Sequence, residues 1–218
     1  DHRDLHSFPT RRSSDLTKED SQLTRSRLLE SALDVFSEKS FADVTLSEIA
    51  ERVGMTKGAL YWHFKNKNDI FLKLVAEICL DAERQFSEKY GEPKTLADLR
   101  DHYKRRLVPP DKNDRFMKIH ALMLRRFEWP EEVQSNIFNI LKDQIKREKK
   151  MVNEILLKSR EEDIIRQDIL TEDVAGAITS VFYGLFILAL NEIVAEDLSK
   201  YADYICDAFR KDLTAKED

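Results

Sequence analysis

At 218 residues the chain is long enough for one or two domains with a proper core, and its 42% of apolar residues is typical of a globular protein. Glycine and proline number only five each, which excludes a sandwich or barrel with many tight turns and favours long helices. The formal charge of −5 excludes a protein that is basic overall, so any nucleic-acid binding has to come from a local basic face.

The first sixteen residues differ in character from the rest of the chain. They are polar, contain Pro9 and the pair Ser13-Ser14, and show no helical period. No apolar segment comes after their arginines, so they do not form a secretory signal. A basic arm that tracks DNA is one interpretation, but the segment resembles translated sequencing-adaptor or cloning sequence. Residues 1–16 are therefore predicted to be a non-native or disordered leader that lies outside the fold.

One longer helix and two short ones are predicted after this leader. Apolar residues at i, i+4 spacing predict an amphipathic helix over residues 20–39. The sequence Thr45-Leu46-Ser47-Glu48 has the pattern of a capping box, in which the threonine and the glutamate each bond the other's backbone, and it begins a second helix. Gly54 ends that helix, since glycine readily takes the left-handed conformation just past the last turn. Thr56 then caps a third helix over residues 57–63.

The remainder of the chain predicts longer helices separated by breaks. Asn66 and Asp69 stand at the N-cap and N3 positions of a helix that runs to about Tyr90. Beyond it, three proline-containing breaks and one polar segment separate five helices over residues 94–107, 112–127, 131–158, 171–192 and 197–213. The expected fold is all-α, with about nine helices.

Two short helices joined by a glycine-containing turn, after a longer helix, make a helix-turn-helix unit over residues 45–64. Its second helix has to enter the major groove, which requires a small N-terminal end and groups that reach phosphates. Residues 55–67 contain three lysines and no acid, although residues 17–67 together hold eight basic and eight acidic residues. This placement predicts that the unit binds duplex DNA. The alternative is that its aromatic residues are ordinary core and the unit never touches DNA.

The stretches TRSRLLESALDVFSEKSF and TLSEIAERVGMTKGALYWHFKNKNDIF, between Thr24 and Leu72, resemble the N-terminal domain of the TetR family of regulators. The YWHFKNK stretch is similar to the subgroup that represses multidrug efflux pumps. The resemblance implies phosphate contacts, groove contacts and contacts to the DNA backbone from eight residues: Thr45, Thr56, Lys57, Gly58, Tyr61, Trp62, His63 and Lys67. Trp62 is expected to be partly buried as well. Ser40 departs from the family pattern, because glycine usually stands there, and a left-handed backbone would cost serine about 1 kcal/mol.

For the rest of the chain the resemblance implies architecture alone. Residues 17–68 would form the DNA-binding domain, and residues 69–218 a helical ligand-binding and dimerisation domain. The final two helices, 171–192 and 197–213, would form a four-helix interface in a homodimer, and the operator would be a near-palindrome. The first of them presents Val174, Ile178, Val181, Phe182, Leu185 and Leu188, with Gly176 and Gly184 for close approach, and the second adds Leu198, Tyr201, Ile205 and Phe209.

The segment from Val174 to Leu190 holds seventeen residues without a charge. At ~1.5 Å per residue a helix of that length spans roughly 25 Å, which is short of the ~30 Å hydrocarbon core of a membrane. It is flanked by acids and has no Lys or Arg to set an orientation. Subunit contact is therefore favoured over a membrane span, and no membrane partner is expected.

The resemblance also implies an effector pocket between helices 69–90, 94–107, 112–127, 131–158 and 171–192. Its aromatic richness suits a small hydrophobic effector. Most of the candidate lining residues are also ordinary core types: Cys79, Phe86, Tyr103, Phe116, His120, Met123, Phe127, Phe138 and Tyr183.

Enzyme chemistry has little support in the sequence. No nucleophile triad, phosphate-binding glycine loop or paired-carboxylate motif is found, so neither catalysis nor a cofactor is expected. Asp98 and His102 share a helix face and could hold a metal, but a surface hydrogen bond between them is favoured and no metal is expected. Cys79 and Cys206 are isolated, which indicates a reducing, cytoplasmic compartment.

Two classes of function are consistent with these features. The first is a ligand-responsive regulator, most simply a repressor that a small effector releases from DNA, with activation as a variant that the sequence leaves open. The second is a helical small-molecule-binding or catalytic module whose helix-turn-helix is vestigial. Replacing Lys57 and Tyr61 by alanine discriminates between them, because only the first class loses DNA binding.

Overall fold

The computed structural model describes residues 13–108, 111, 114–191 and 198–214. Within these ranges the chain forms nine α-helices, one short 3-10 turn and no strand, which confirms the all-α prediction. The elements in chain order are α1 (Ser13–Glu38), α2 (Leu46–Arg52), α3 (Lys57–Tyr61), α4 (Lys67–Tyr90), α5 (Leu96–Arg106), α6 (Arg115–Met123), the 3-10 turn Arg126–Glu128, α7 (Glu131–Glu161), α8 (Thr171–Leu190) and α9 (Ser199–Thr214).

The first helix begins earlier than the sequence predicts. α1 starts at Ser13, so four residues assigned to the leader belong to its first turn, and residues 1–12 lie outside the described residues. The prediction of one helix over residues 112–127 is also wrong. α6 ends at Met123, and the chain then continues into the 3-10 turn before α7.

The chain divides into two compact units, residues 1–74 and residues 75–218. The division falls inside α4, six residues beyond the predicted boundary at 68/69. The core of the first unit is aromatic: Phe36, Phe41 and Phe71 meet with ring centroids 4.7–5.6 Å apart, and each ring is at most 5% exposed. Burying one such side chain contributes about 1.5–3 kcal/mol. A buried hydrogen bond of 2.8 Å from the Ser31 hydroxyl to the Ile49 carbonyl ties α1 to α2.

The core of the second unit is formed by α5, α7, α8 and α9. The rings of Tyr103 from α5 and Phe182 from α8 stack at its centre, 3.8 Å apart and nearly parallel. Arg100 and Lys104 on α5 both pair with Asp203 on α9, at 2.7 and 2.8 Å. These side chains are more than one third exposed, so each pair stabilises the packing of α9 by about 1 kcal/mol at most.

Helix α8 is long and apolar enough to cross a membrane by length and composition alone, although core helices of water-soluble proteins meet the same criteria. About one third of it is buried. Ala175, Ile178, Thr179 and Phe182 face inward, whereas Val181 on the opposite side is 39% exposed. An apolar helix that is covered on one side only leaves a face for another chain to cover.

Candidate functional site

The turn between α2 and α3 positions the candidate DNA-binding surface. Gly54 has a φ of +70°, which confirms the left-handed residue predicted there. Its N–H donates to the carbonyl of Glu51 at 3.0 Å, and the next N–H, of Met55, donates to Ala50 at 2.9 Å. This pair of bonds is the Schellman arrangement, which satisfies the last carbonyls of α2 and turns the chain sharply into α3.

The start of α2 confirms half of the predicted capping box. The Thr45 hydroxyl accepts from the backbone N–H of Glu48 at 3.2 Å. The Glu48 carboxylate does not supply the expected return bond, and it pairs instead with Lys39 at 2.7 Å and Arg52 at 3.8 Å. Charged neighbours offer a carboxylate stronger bonds than the N-cap amide does.

The connection before α2 needs no left-handed serine. Ser40 is not among the described residues with positive φ, so the strain expected from the family pattern is wrong. Its hydroxyl donates to the Asp43 carboxylate at 2.6 Å, and its carbonyl accepts from the Asp43 N–H at 3.1 Å. A side-chain bond thus closes the turn that glycine would close through its backbone freedom.

Helix α3 is short, and its two sides differ sharply. Leu60 and the following Phe64 are at most 1% exposed and anchor the helix in the core of the first unit. Thr56 caps it by accepting from the N–H of Ala59 at 3.1 Å, as predicted. Tyr61 is 50% exposed and Trp62 is 90% exposed, so neither is a core aromatic, and the expected partial burial of Trp62 is wrong. Lys57 and Gly58 are exposed as well.

Two carboxylates of the first unit, Glu38 and Asp69, bond neighbouring residues. Glu38 forms a bidentate pair with Arg52. Asp69 accepts from the Lys65 N–H at 2.8 Å and from the Lys73 ammonium at 3.0 Å. Burial raises the pKa of Asp69, but these bonds lower it more, so it stays ionised. Among the described residues, the Lys57 ammonium forms no ion pair with a carboxylate, whereas Lys65 interacts electrostatically with Asp69. Lys65 is absent from the predicted contacts, although the sequence shows it in the acid-free stretch.

Lys67 has a structural role that the sequence does not predict. Its ammonium donates to the carbonyls of Phe41 and Ala42 at 2.7 and 2.9 Å, and it lies 4.9 Å from the Phe41 ring centroid. Burial lowers the pKa of Lys67. A phosphate contact from Lys67 has to use its third N–H. His63 is half-buried, with its ring 6.2 Å from that of Phe64.

Helices α8 and α9 expose a narrower surface than the predicted interface. Ile178, Phe182 and Leu198 are at most 4% exposed within the subunit and belong to its core. Gly176 is half-buried, and a Cβ there would lie 3.6 Å from the side chain of Lys149. The exposed stripe of α8 consists of Ala177, Ser180, Val181 and Gly184, and that of α9 includes Tyr201, Tyr204 and Ala208. We call these residues the α8–α9 stripe.

The structure does not bring the nine candidate effector-binding residues into one pocket. Phe127 is 81% exposed and Phe138 is 72% exposed, so neither lies in an enclosed cavity of this unit. Cys79 is 3% exposed, and burial raises its pKa to about 11, which keeps the thiol neutral and inert. Half-buried positions are found for Phe86, Phe116, His120, Met123 and Tyr183.

Phe86 lines a cleft of about 210 Å³ between α4, α5 and α7. Its polar wall contains His102, which is 5% exposed. The Nε2 atom of His102 lies 3.4 Å from the Glu148 carboxylate and accepts a hydrogen bond of 3.0 Å from the Arg106 guanidinium. Burial raises the pKa of Glu148, but its interactions with His102 and Arg106 lower the pKa by a larger amount. The carboxylate therefore stays charged. The predicted surface bond between Asp98 and His102 is therefore wrong. Asp98 instead completes a capping box with Thr95. The described residues contain no group of three or more His, Cys, Asp or Glu that could hold a metal.

Residues 28–74 match the family "Bacterial regulatory proteins, tetR family". The transcriptional regulator AcrR of Shigella flexneri is 36% identical over 87 residues, which are 37% of this chain and 39% of that protein. TtgR of Pseudomonas putida is 44% identical over 59 residues, which are 27% of this chain and 28% of that protein. The matched part thus spans at most about two fifths of these relatives.

Two solved structures share the fold along most of the chain. NalD, the secondary repressor of the MexAB-OprM multidrug efflux pump in Pseudomonas aeruginosa, has a TM-score of 0.67 and 22% identity over 91% of this chain and 100% of that one. The SmeT–triclosan complex has a TM-score of 0.65 and 22% identity over 89% of this chain and 93% of that one. The family match thus lies in the first unit, and the likeness in fold extends over most of the chain.

Proposed function

We propose that the chain is a regulator of the TetR family, and that it is a ligand-responsive repressor that binds operator DNA as a homodimer; the match of residues 28–74 to that family supports this. One observation carries the proposal. The outer side of α3 exposes Lys57, Gly58, Tyr61 and Trp62 without a carboxylate among them, while the opposite side anchors the helix in the core. A helix whose inner side is packed in the core and whose outer side is small and basic fits the major groove.

The capping threonines can serve both the helices and the DNA. The Thr45 and Thr56 hydroxyl oxygens each accept a backbone N–H, and this leaves each hydroxyl proton to donate to a phosphate oxygen. The Lys57 ammonium lies 5.9 Å from the Tyr61 ring, so both residues reach the same side of α3. We assign the two threonines, Lys57 and Tyr61 to the DNA contacts, and Gly58 allows the close approach. The remaining three predicted residues would contact the DNA backbone: His63, Trp62 and Lys67.

The α8–α9 stripe is the proposed dimer surface. Ala177, Ser180, Val181 and Gly184 lie along one face at i, i+3, i+4, i+7 spacing, and a Cβ on Gly184 would meet no atom within 4 Å. Small residues let the helix of a second subunit approach closely. Two-fold symmetry then predicts a near-palindromic operator whose half-sites lie roughly 34 Å apart.

The proposed effector is a small hydrophobic molecule. SmeT has been solved with triclosan, and NalD is a repressor of a multidrug efflux pump. An effector can release this chain from DNA only if it binds more tightly to a dimer form whose α3 helices are wrongly spaced for the groove. We further propose that the chain acts in the cytoplasm, and that it needs neither catalysis nor a cofactor, as its relatives are transcriptional regulators.

The test is selection from a pool of random duplexes with the purified full chain. We expect enrichment of a near-palindromic sequence, and binding that weakens with salt because lysines displace counterions from phosphates. The double variant Lys57→Ala/Tyr61→Ala is expected to bind the selected duplex more weakly, with a salt slope reduced by about one unit for the lost lysine contact. Lys150→Ala, an exposed lysine of α7, is the matched control and leaves affinity unchanged.

Two results would contradict the proposal. One is a pool without any enriched sequence. The other is equal affinity of the parent and the double variant for the same duplex. A chain that binds triclosan but no duplex would favour a small-molecule-binding module with a vestigial helix-turn-helix.

A further inference from the structure

A second cleft lies in the C-terminal unit, and most of the predicted effector residues do not line it. It has a volume of about 280 Å³ and lies between α5, α8 and α9, next to Ile164. Of the nine candidate effector-binding residues, only Tyr103 lines it. An apolar cavity of ~150 Å³ holds benzene, so this cleft has room for an aromatic ring with a short substituent.

The walls of this cleft are apolar and rich in aromatic rings. Tyr103 and Phe182, stacked on each other at 3.8 Å, both line it, and Phe209 of α9 lines it as well. Aliphatic side chains complete the surface: Leu96, Leu99, Ile164, Ile178 and Leu213. Aromatic pairs contribute about 0.5–1.5 kcal/mol beyond their buried area, so an aromatic occupant is favoured over an aliphatic one of equal size.

The rim of the cleft is cationic. Arg100, Asp207 and Arg210 line it. Asp203, just outside the lining, pairs with both Arg100 and Lys104, so the connected charges at the rim are three cations against two carboxylates. Arg100 is held by Asp203 at 2.7 Å and by Asp207 at 3.1 Å. Arg210 bonds Asp207 at 3.3 Å, and its side chain is 63% exposed. A guanidinium carries five N–H donors, so Arg210 keeps donors for a carboxylate at the mouth of the cleft.

We propose that this cleft binds a small aromatic carboxylate, with its ring against Tyr103 and Phe182 and its carboxylate at Arg210. Apolar depth, aromatic walls and one surplus positive charge at the mouth together match an amphipathic anion. The site does not depend on DNA binding, so it stands or falls separately from the proposed repressor function. The cleft is lined by α5 and by α8 and α9, the two helices that carry the α8–α9 stripe.

The test uses 3-phenylpropionate as the probe and the full chain without DNA. Cys206 lines the cleft, and burial raises its pKa to about 11, so it reacts slowly with N-ethylmaleimide. We expect the probe at ten times its dissociation constant to slow labelling of Cys206 about tenfold, read by peptide mass spectrometry, and to raise the melting temperature by about 3–5 °C. The uncharged analogue 3-phenylpropanol is expected to protect Cys206 at higher concentrations only.

Two variants locate the site. Arg210→Gln should weaken binding of 3-phenylpropionate about tenfold, which is about 1.4 kcal/mol, and leave that of the alcohol unchanged. Ala97→Trp places a large ring at an exposed position of the lining and should abolish protection, whereas Ala121→Trp, exposed on α6, should not. Equal protection by acid and alcohol, equal binding by Arg210→Gln, or no protection of Cys206 in the parent chain would each overturn the proposal.

Discussion

Gly54 and Gly58 of the helix-turn-helix are expected to respond to alanine with opposite changes in stability. Gly54 lies at φ +70°, and a Cβ there would meet no heavy atom within 4 Å. Gly54→Ala therefore costs backbone strain without a clash. A left-handed residue costs about 1–2 kcal/mol, and the lower freedom of alanine in the unfolded chain offsets about 0.4–1 kcal/mol. The net loss in the free energy of unfolding is about 1 kcal/mol, or about 2–4 °C in melting temperature.

Gly58 is the matched control. It lies in α3, where a Cβ would be 3.7 Å from the Thr56 hydroxyl, an ordinary contact. Alanine has a higher helix propensity than glycine, so Gly58→Ala should stabilise the protein by about 0.5–1 kcal/mol. The added methyl group would stand on the surface that faces the groove, and we expect DNA affinity to fall about tenfold. Gly54→Ala should leave the affinity of the folded dimer unchanged.

Urea denaturation with a common m-value measures both stabilities, and fluorescence anisotropy with the selected duplex measures both affinities. An equal free energy of unfolding for Gly54→Ala and the parent would refute the left-handed turn. Undiminished DNA affinity of Gly58→Ala would refute the close approach of α3 to the groove. Because the two variants differ in sign for stability, a general effect of the added methyl group cannot imitate the expected pattern.

Three further predictions concern the dimer, a buried charge and Lys67. Val181→Arg, in the α8–α9 stripe, should give monomers in light scattering, whereas Val108→Arg, at a position 60% exposed, should not. Glu148→Gln should lower the free energy of unfolding in urea by about 2 kcal/mol at neutral pH. Folding lowers the pKa of Glu148 below its ordinary value of 4.5, so the charged carboxylate stabilises the protein above pH 4.5. This stabilisation is lost as the pH falls through the lowered pKa, where the stabilities of the parent and Glu148→Gln should converge. Lys67→Met should cost about 1–2 kcal/mol by removing the bonds to two carbonyls, whereas Lys57→Met should change stability by less than about 0.5 kcal/mol. Equal stability of these two lysine variants would contradict the structural role of Lys67.

The sequence predicts the helix-turn-helix well because its signals are local. Thr45, Gly54 and Thr56 each act on backbone groups within a few residues, and all three behave as expected. Longer-range partners were missed. The Glu48 carboxylate finds Lys39, nine residues away, and Lys67 finds two carbonyls across the connection before α2. Propensity and capping patterns contain no information about such contacts.

The second unit shows a different limit. α8 is apolar on nearly every side, so its periodicity does not tell which residues face the subunit core and which face a partner. The sequence therefore predicts Ile178 and Phe182 as interface residues, although both belong to the core of the subunit. The cationic rim of the second cleft joins Arg100 to Asp207, residues that are distant in sequence and meet only after α5 packs on α9. Pocket residues are of the same types as core residues, so composition does not separate them.

The proposed function requires that α3 enters duplex DNA once per subunit in a symmetric dimer. Hydroxyl-radical footprinting of the full chain on the selected duplex tests it most directly. We expect two protected patches on one face of the duplex, about one helical turn or slightly more apart, and both should disappear in Lys57→Ala/Tyr61→Ala. A single patch, or two patches that persist in that variant, would contradict it.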